Sequence, residues 1–238
     1  VLVYLRTKLM SELFLVRHAE ASFGKADYDQ LSDLGVQQSR WLGEYFKSQE
    51  IEFAELIVGD MRRHHQTLDG ICAAMGVTNQ NRTVKPGLNE YDFAQLTAAY
   101  AKSFPNDSLL QKIKAAPLDK NNHYRLLRVA LRAWARKEIT DVSESWEEFC
   151  ERVQQVRKYI LAEAKSGKRV LAIGSGGSNS TFLGQILNAP AETIFDLNLQ
   201  TKNTGISSYF FNKKKITLSC FNMVPHLDTN ELRAHITY

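Results

Sequence analysis

Two short runs hold the residues with the clearest chemistry. Arg17-His18 follows the apolar run Leu13-Phe14-Leu15-Val16, so the pair stands at the carboxyl end of an expected strand. In open α/β sheets ligands bind outside the carboxyl ends of strands. A neutral imidazole there can attack as a nucleophile once its other ring nitrogen is held by an acceptor such as a backbone carbonyl. The adjacent guanidinium offers a planar fork that matches phosphate oxygens. The second run, Val170 to Ser178, reads as a strand that ends in the glycine loop Gly174-Ser175-Gly176-Gly177 and opens a helix. Taken alone, an Arg-His pair is an ordinary surface-loop feature, so the argument depends on what positions it.

The elements around these runs alternate. Glu12–Val16 and Leu56–Val58 have the apolar density of short buried strands. Leu34–Phe46 carries apolar residues at helical spacing behind a capping Ser32 or Asp33, and Met61–Met75 is a helix closed by Gly76. This strand–helix alternation predicts a mostly parallel central sheet with helices on both faces, a three-layer α/β sandwich. From Phe93 to Ser143 the pattern becomes helical stretches broken at Pro105-Asn106-Asp107 and Pro117, expected to form a helical insertion over the site. Ser145–Ala164 is a long amphipathic helix, Arg169–Ile173 the next strand, and Asn179–Leu187 its following helix. Ile206–Phe211 and Lys215–Phe221 read as a closing hairpin.

Composition bounds the class. The 238 residues are 44% hydrophobic and 24% charged, enough to bury a core in one α/β domain. No apolar run approaches the ~20 residues of a membrane span. Cys72, Cys150 and Cys220 form no CxxC pair, which argues against a disulfide framework or zinc site and for a cytoplasmic location. A net charge of +4 favours anionic ligands mildly and falls short of nucleic-acid binding. Met10 is expected to be the natural start, with residues 1–10 lying outside a domain spanning 11–238.

Further residues recur in order. Leu15-Val16-Arg17-His18-Ala19-Glu20 is followed by Leu31-Ser32-x-x-Gly35-x-x-Gln38, then by Arg63-x-x-Gln66-Thr67 and Leu88-Asn89-Glu90. Glu144-Ser145, Arg152-Val153, Gly176-Gly177, Asn203-Thr204, Phe221-Asn222 and His226-Leu227 continue the series. This set resembles the histidine phosphatase (phosphoglycerate mutase-like) superfamily over roughly residues 11–230. The resemblance implies that His18 is the phosphorylated residue and that Arg17 and Arg63 hold the phosphoryl oxygens. It implies that Glu90 protonates the leaving alkoxide and later activates water, and that Ser175 and Gly176 line the phosphate site. Phosphoryl transfer needs positioned positive charge and an in-line nucleophile, which these residues supply with no metal and no cofactor.

Two positions depart from the family pattern. Ala19 replaces a glycine, and Ser175 replaces a second histidine that donates a charge-assisted hydrogen bond to the phosphoryl group. A neutral hydroxyl gives a bond about half as strong. Helical geometry turns His64 and His65 about 100° and 200° away from Arg63, so neither is expected to replace the missing imidazole. His226 is expected to be structural and His123 to have no ligand role. Arg125, Arg128, Arg132 and Arg136 form one basic stripe, either a solvated face or a wall of the cleft. Leaving-group specificity is expected from Tyr91, Asp92, Phe93 and the insertion.

The expected function is a metal-independent phosphomonoester hydrolase working through phosphohistidine at His18, with activity reduced by Ser175. One alternative is a catalytically weak or inactive phospholigand-binding protein, and a further one is a phosphoglycerate mutase. Against the mutase, the stretch from Ala21 to Leu31 is short and lacks the asparagine expected after the histidine motif. The partner is a small-molecule phosphate ester, with no nucleic acid or membrane, and the chain is expected to be a monomer or homodimer.

Overall fold

Alternation along the strands sets the layers. Leu13 and Leu15 of the first strand, with Val170 and Ala172 of a neighbour, join one buried cluster, whereas Val16, Leu171 and Ile173 join a second on the opposite face. A period of two in a strand places successive side chains on opposite faces, so a strand apolar at every position must be covered on both. The computed structural model describes residues 10–22, 28–78, 81–117, 119–163 and 167–238. The expectation about residues 1–9 lies outside these.

The strands are β1 (Ser11–Arg17), β2 (Glu55–Val58), β3 (Arg82–Val84), β4 (Arg169–Gly174), β5 (Ile206–Phe211) and β6 (Ile216–Met223). They form one sheet in the order β3-β2-β4-β1-β5-β6. The β3, β2, β4 and β1 ladders are parallel, and β5 and β6 complete the sheet antiparallel. The expected mostly parallel α/β sheet is present. Strand β3 escaped the sequence because three residues, Arg-Thr-Val, are too few to show a period.

Helices α1 (Asp33–Ser48) and α2 (Arg62–Met75) cover one face through Leu42, Phe46, Leu68 and Ile71. On the other lie α6 (Trp146–Ala162) and α7 (Gly176–Leu187), whose Phe149, Val153, Val156, Phe182 and Leu183 enter the first cluster. Between β3 and α6 run α3 (Phe93–Ser103), α4 (Ser108–Ala115) and α5 (Lys120–Ala135), each capped by an aspartate: Asp92, Asp107 and Asp119. Helix α8 (Ala191–Asn198), directly after Pro190, was not anticipated.

Local chemistry sets the boundaries. Ser32 caps α1 by accepting from the Gly35 backbone N–H, Gly76 ends α2 with φ +78°, and Ser145 with Glu148 forms a capping box on α6. Helix α7 starts at Gly176, three residues before the expected Asn179, so the glycine pair is its first turn rather than a loop. The arginine stripe faces α8: Arg128 pairs with Asp196 at 3.0 Å, and Arg132 and Arg136 with Glu192 at 2.6 and 2.9 Å. These three arginines tie α5 to α8. Among the described residues no helix is long and apolar enough to cross a membrane.

Candidate active site

The parallel register of β1 with β4 brings Arg17 opposite Gly174, and the His18 backbone N–H donates to the Gly174 carbonyl at 2.9 Å. Arg17, His18 and Ser175 thus meet at the carboxyl edge of adjacent central strands. His18 is 3% exposed. Its Nδ1 lies 2.7 Å from the Ala19 carbonyl oxygen, a contact in which Nδ1–H donates. The lone pair therefore resides on Nε2, and the Arg63 Nε–H donates to it at 3.1 Å. Burial first, then the charges of Arg63 and Arg17, hold the His18 pKa well below the ordinary histidine value. The imidazole is neutral, and its unprotonated nitrogen accepts from the Arg63 guanidinium.

Much of the motif following His18 holds this ring in place. Ala19 N–H donates to Thr67 Oγ1 at 3.0 Å, and Glu20 N–H to Gln38 Oε1 at 2.9 Å. The Leu31 N–H donates to Gln66 Oε1 at 2.8 Å. Gly35 packs so closely that a Cβ would sit 2.1 Å from the Glu20 carbonyl oxygen. Asn203 Nδ2 donates to the His18 carbonyl at 3.1 Å.

The arginines are fixed differently. Arg63, 4% exposed, also donates through Nη1 to Asp29 Oδ1 at 2.8 Å. Arg17 donates through Nη1 to the Thr201 carbonyl, while its buried Nε has no hydrogen-bond partner among the described residues. A buried guanidinium nitrogen without a partner is costly unless an anion completes it. Burial lowers the Arg17 pKa from its ordinary value, opposed chiefly by the negative charge of Glu90. Gly176 lies against this arginine, with a Cβ placed there 3.5 Å from Arg17 Nε.

Glu90 sits across the first turn of α7. Both its carboxylate oxygens accept from the Gly177 N–H at 3.1 Å, and a Cβ at Gly177 would fall 2.2 Å from Glu90 Oε1. Its backbone is held by Arg152, whose Nη1 donates to the carbonyls of Pro86, Gly87 and Asn89 and whose Nη2 donates to that of Glu90. Glu144 accepts from Arg152 Nε and Nη2 at 2.5 and 3.0 Å. Tyr91 is buried, and Asn198 Nδ2 donates to its hydroxyl at 2.9 Å; Asp92 caps α3. Phe93, at the start of α3, is 38% exposed.

One residue stands where helical geometry argued against it. His64, fully buried, places its Nε2 2.8 Å from Ser175 Oγ, and its ring centroid lies 5.6 Å from that of His18. A rotation of 100° per residue is narrower than the face a helix presents to a cleft. Because α2 starts at Arg62, both Arg63 and His64 lie in its first turn and reach the same edge. His226 is buried against Thr204, with Nε2 to Oγ1 at 2.8 Å. His123 lies 2.7 Å from the Pro117 carbonyl through Nε2.

The family model of the histidine phosphatase superfamily (branch 1) matches residues 13–224. Among solved structures, phosphoserine phosphatase from Entamoeba histolytica, in complex with 3-phosphoglyceric acid, superposes with TM-score 0.62 at 18% identity, covering 92% of this chain and 100% of that one. Phosphoglycerate mutase from Bacillus anthracis gives TM-score 0.62 at 18% identity over 93% and 97%. The alpha-ribazole phosphatase from Shigella flexneri gives 0.59 at 17% over 89% and 96%. At these identities the superpositions show a shared fold. No curated protein matches the chain by sequence at a significant level.

Proposed function

Because the chain belongs to the histidine phosphatase superfamily, we propose that it is a metal-independent phosphomonoester hydrolase whose intermediate is phosphorylated His18. The observation that carries this reading is the His18 tautomer: Nδ1–H committed to the Ala19 carbonyl, Nε2 directed at Arg63. A phosphoryl group entering between Arg17 and Arg63 takes over the Arg63 Nε–H that caps the lone pair in the resting site. It also supplies a partner for Arg17 Nε, which has none among the described residues.

His18 Nε2 then attacks phosphorus in line, the P–O bond to the alcohol breaks, and the leaving oxygen takes a proton from Glu90. In the second half, the Glu90 carboxylate removes a proton from water as that water attacks phosphorus. The P–N bond breaks, inorganic phosphate leaves, and His18 is neutral again. Charge stabilisation by two guanidiniums and in-line positioning account for the rate. In this reading Ser175 occupies the place of the superfamily's second active-site histidine. Its neutral hydroxyl is a weaker donor, so turnover is slower than a second imidazolium would give. The substrates are small phosphate esters, and the chain from 11 to 238 acts as one domain.

The test is hydrolysis of a broad phosphomonoester panel in EDTA by the protein, His18→Ala and Glu90→Gln. The expected result is turnover that disappears in His18→Ala and drops about 10²–10⁴-fold in Glu90→Gln, with acid-labile phosphate trapped on the unsubstituted protein and absent from His18→Ala. If all three are equally silent while phosphate esters still bind, the protein is a phospholigand binder and the catalytic reading fails.

A further inference from the structure

A buried imidazole beside a reactive site, unused by the steps above, has to be accounted for. His64 is fully buried beneath the carboxyl edge of the sheet, and its space exists because residue 59 is glycine: a Cβ there would lie 2.2 Å from His64 Nδ1. One ring nitrogen meets Ser175 Oγ, and Nδ1 has no hydrogen-bond partner among the described residues. Ser175 is itself fully buried, follows the Gly174 whose carbonyl receives the His18 N–H, and offers one hydroxyl hydrogen.

Two proton arrangements fit the 2.8 Å contact. If Ser175 donates to Nε2, the hydroxyl spends its only hydrogen and the tautomer leaves an N–H on Nδ1 buried without an acceptor. If Nε2–H donates to Ser175 Oγ, Nδ1 is a bare lone pair and the hydroxyl hydrogen stays available. Orphaned buried N–H groups are rarer in proteins than under-satisfied acceptors, so the second arrangement is favoured. Among the described residues the hydroxyl accepts from the first turn of α7 as its cap, and its one donation outside the His64 contact is a distant one, 4.0 Å, to the Met61 sulfur, which is easily given up.

We propose that His64 and Ser175 act as one relay: the His64 imidazole donates to Ser175 Oγ and thereby turns the Ser175 hydroxyl toward a phosphoryl oxygen held by Arg17 and Arg63. This rests on the reading of the site as a phosphoryl pocket. His64 is a positioning residue, working through Ser175, and supplies from helix α2 an imidazole that strand β4 does not carry. Hydrogen bonds in series polarise one another, so the serine is a better donor in this pair than alone. The neutral state of His64 suits the role: burial, with Arg63 next, keeps its pKa well below the usual histidine value.

The experiment is a double-mutant cycle read in two ways: affinity for inorganic phosphate by calorimetry, and kcat and KM on the best ester of the panel. Variants are His64→Leu, His64→Gln, Ser175→Ala and His64→Leu with Ser175→Ala. His64→Leu and Ser175→Ala are each expected to weaken phosphate binding about tenfold and lower kcat by about 10². The double variant should be no worse than either. His64→Gln, whose side-chain amide N–H reaches the same oxygen, should regain most of what His64→Leu loses. Additive losses, or His64→Leu binding phosphate like the unsubstituted protein, would overturn the relay. Loss with His64→Leu but not with Ser175→Ala would overturn it as well. Absence of ester turnover in every variant defeats the hydrolase reading, while the phosphate-binding cycle still decides this one.

Discussion

At the scale of single residues, the site is a set of nitrogen atoms with assigned protons. The Ala19 carbonyl fixes the His18 tautomer, and the Arg63 Nε–H donates to the lone pair on Nε2. Space is as constrained as charge. Both His64 and Ser175 are fully buried, so an imidazole added at 175 must enter volume that His64 already fills. Ser175→His is therefore expected to lower turnover and to cost about 1–3 kcal/mol by overpacking. Adding His64→Ala makes room and should restore both. Urea unfolding with parallel kinetics checks this; a more active single variant with unchanged stability would contradict it.

At the scale of elements, the carboxyl edge of the sheet is assembled by segments far apart in sequence. β1 brings Arg17 and His18, α2 brings Arg63 and His64, the turn before α3 brings Glu90, and β4 leads into Ser175. Arg152 on α6 is the strut between the sheet and the Glu90 turn, with four backbone carbonyls and Glu144 as its partners. Arg152→Ala leaves those carbonyls and the half-buried Glu144 carboxylate without their cation. A loss of about 2–4 kcal/mol is expected, together with a fall in kcat as Glu90 loses its register. Arg152→Lys should rescue neither, because an ammonium cannot span the same set of acceptors. Equal stability of Arg152→Ala in denaturant titration would refute the strut. The aromatic cluster of Tyr91, Trp134, Trp146 and Phe149, with centroids 5.3–5.8 Å apart, braces the same turn from the side of α5 and α6.

At the scale of the whole molecule, buried neutral histidines set the response to acid. Burial brings the His226 pKa down to about 4, against about 6.5 in an unfolded chain. Between those values the unfolded chain binds a proton that the folded one refuses, so the unfolded state gains as pH falls. The stability from His226 is complete above pH 6.5 and lost progressively toward about pH 4. His18 and His64 shift in the same direction. Tm should therefore drop steeply over this window, and His226→Gln should flatten the slope while leaving His18 chemistry intact. An unchanged slope in scanning calorimetry would assign the acid sensitivity to other groups.

The sequence by itself determined what depends on local order. Apolar runs ending in Arg17-His18 and in the glycine turn were enough to read β1, β4 and a parallel sheet, because strand period and capping chemistry act over a few residues. The recurring motif carried the superfamily, and with it the expectation that Arg17, His18, Arg63, Glu90 and Ser175 belong together. Tertiary structure decided what depends on the angle at which elements meet. It turned His64 into the cleft beside Ser175, because two successive residues in a helix's first turn can both face one sheet edge. It set three arginines of α5 against α8, a helix whose eight residues gave no readable stripe. It made Gly59 a requirement, since the need for an absent Cβ shows only once the ring that fills its place is packed there.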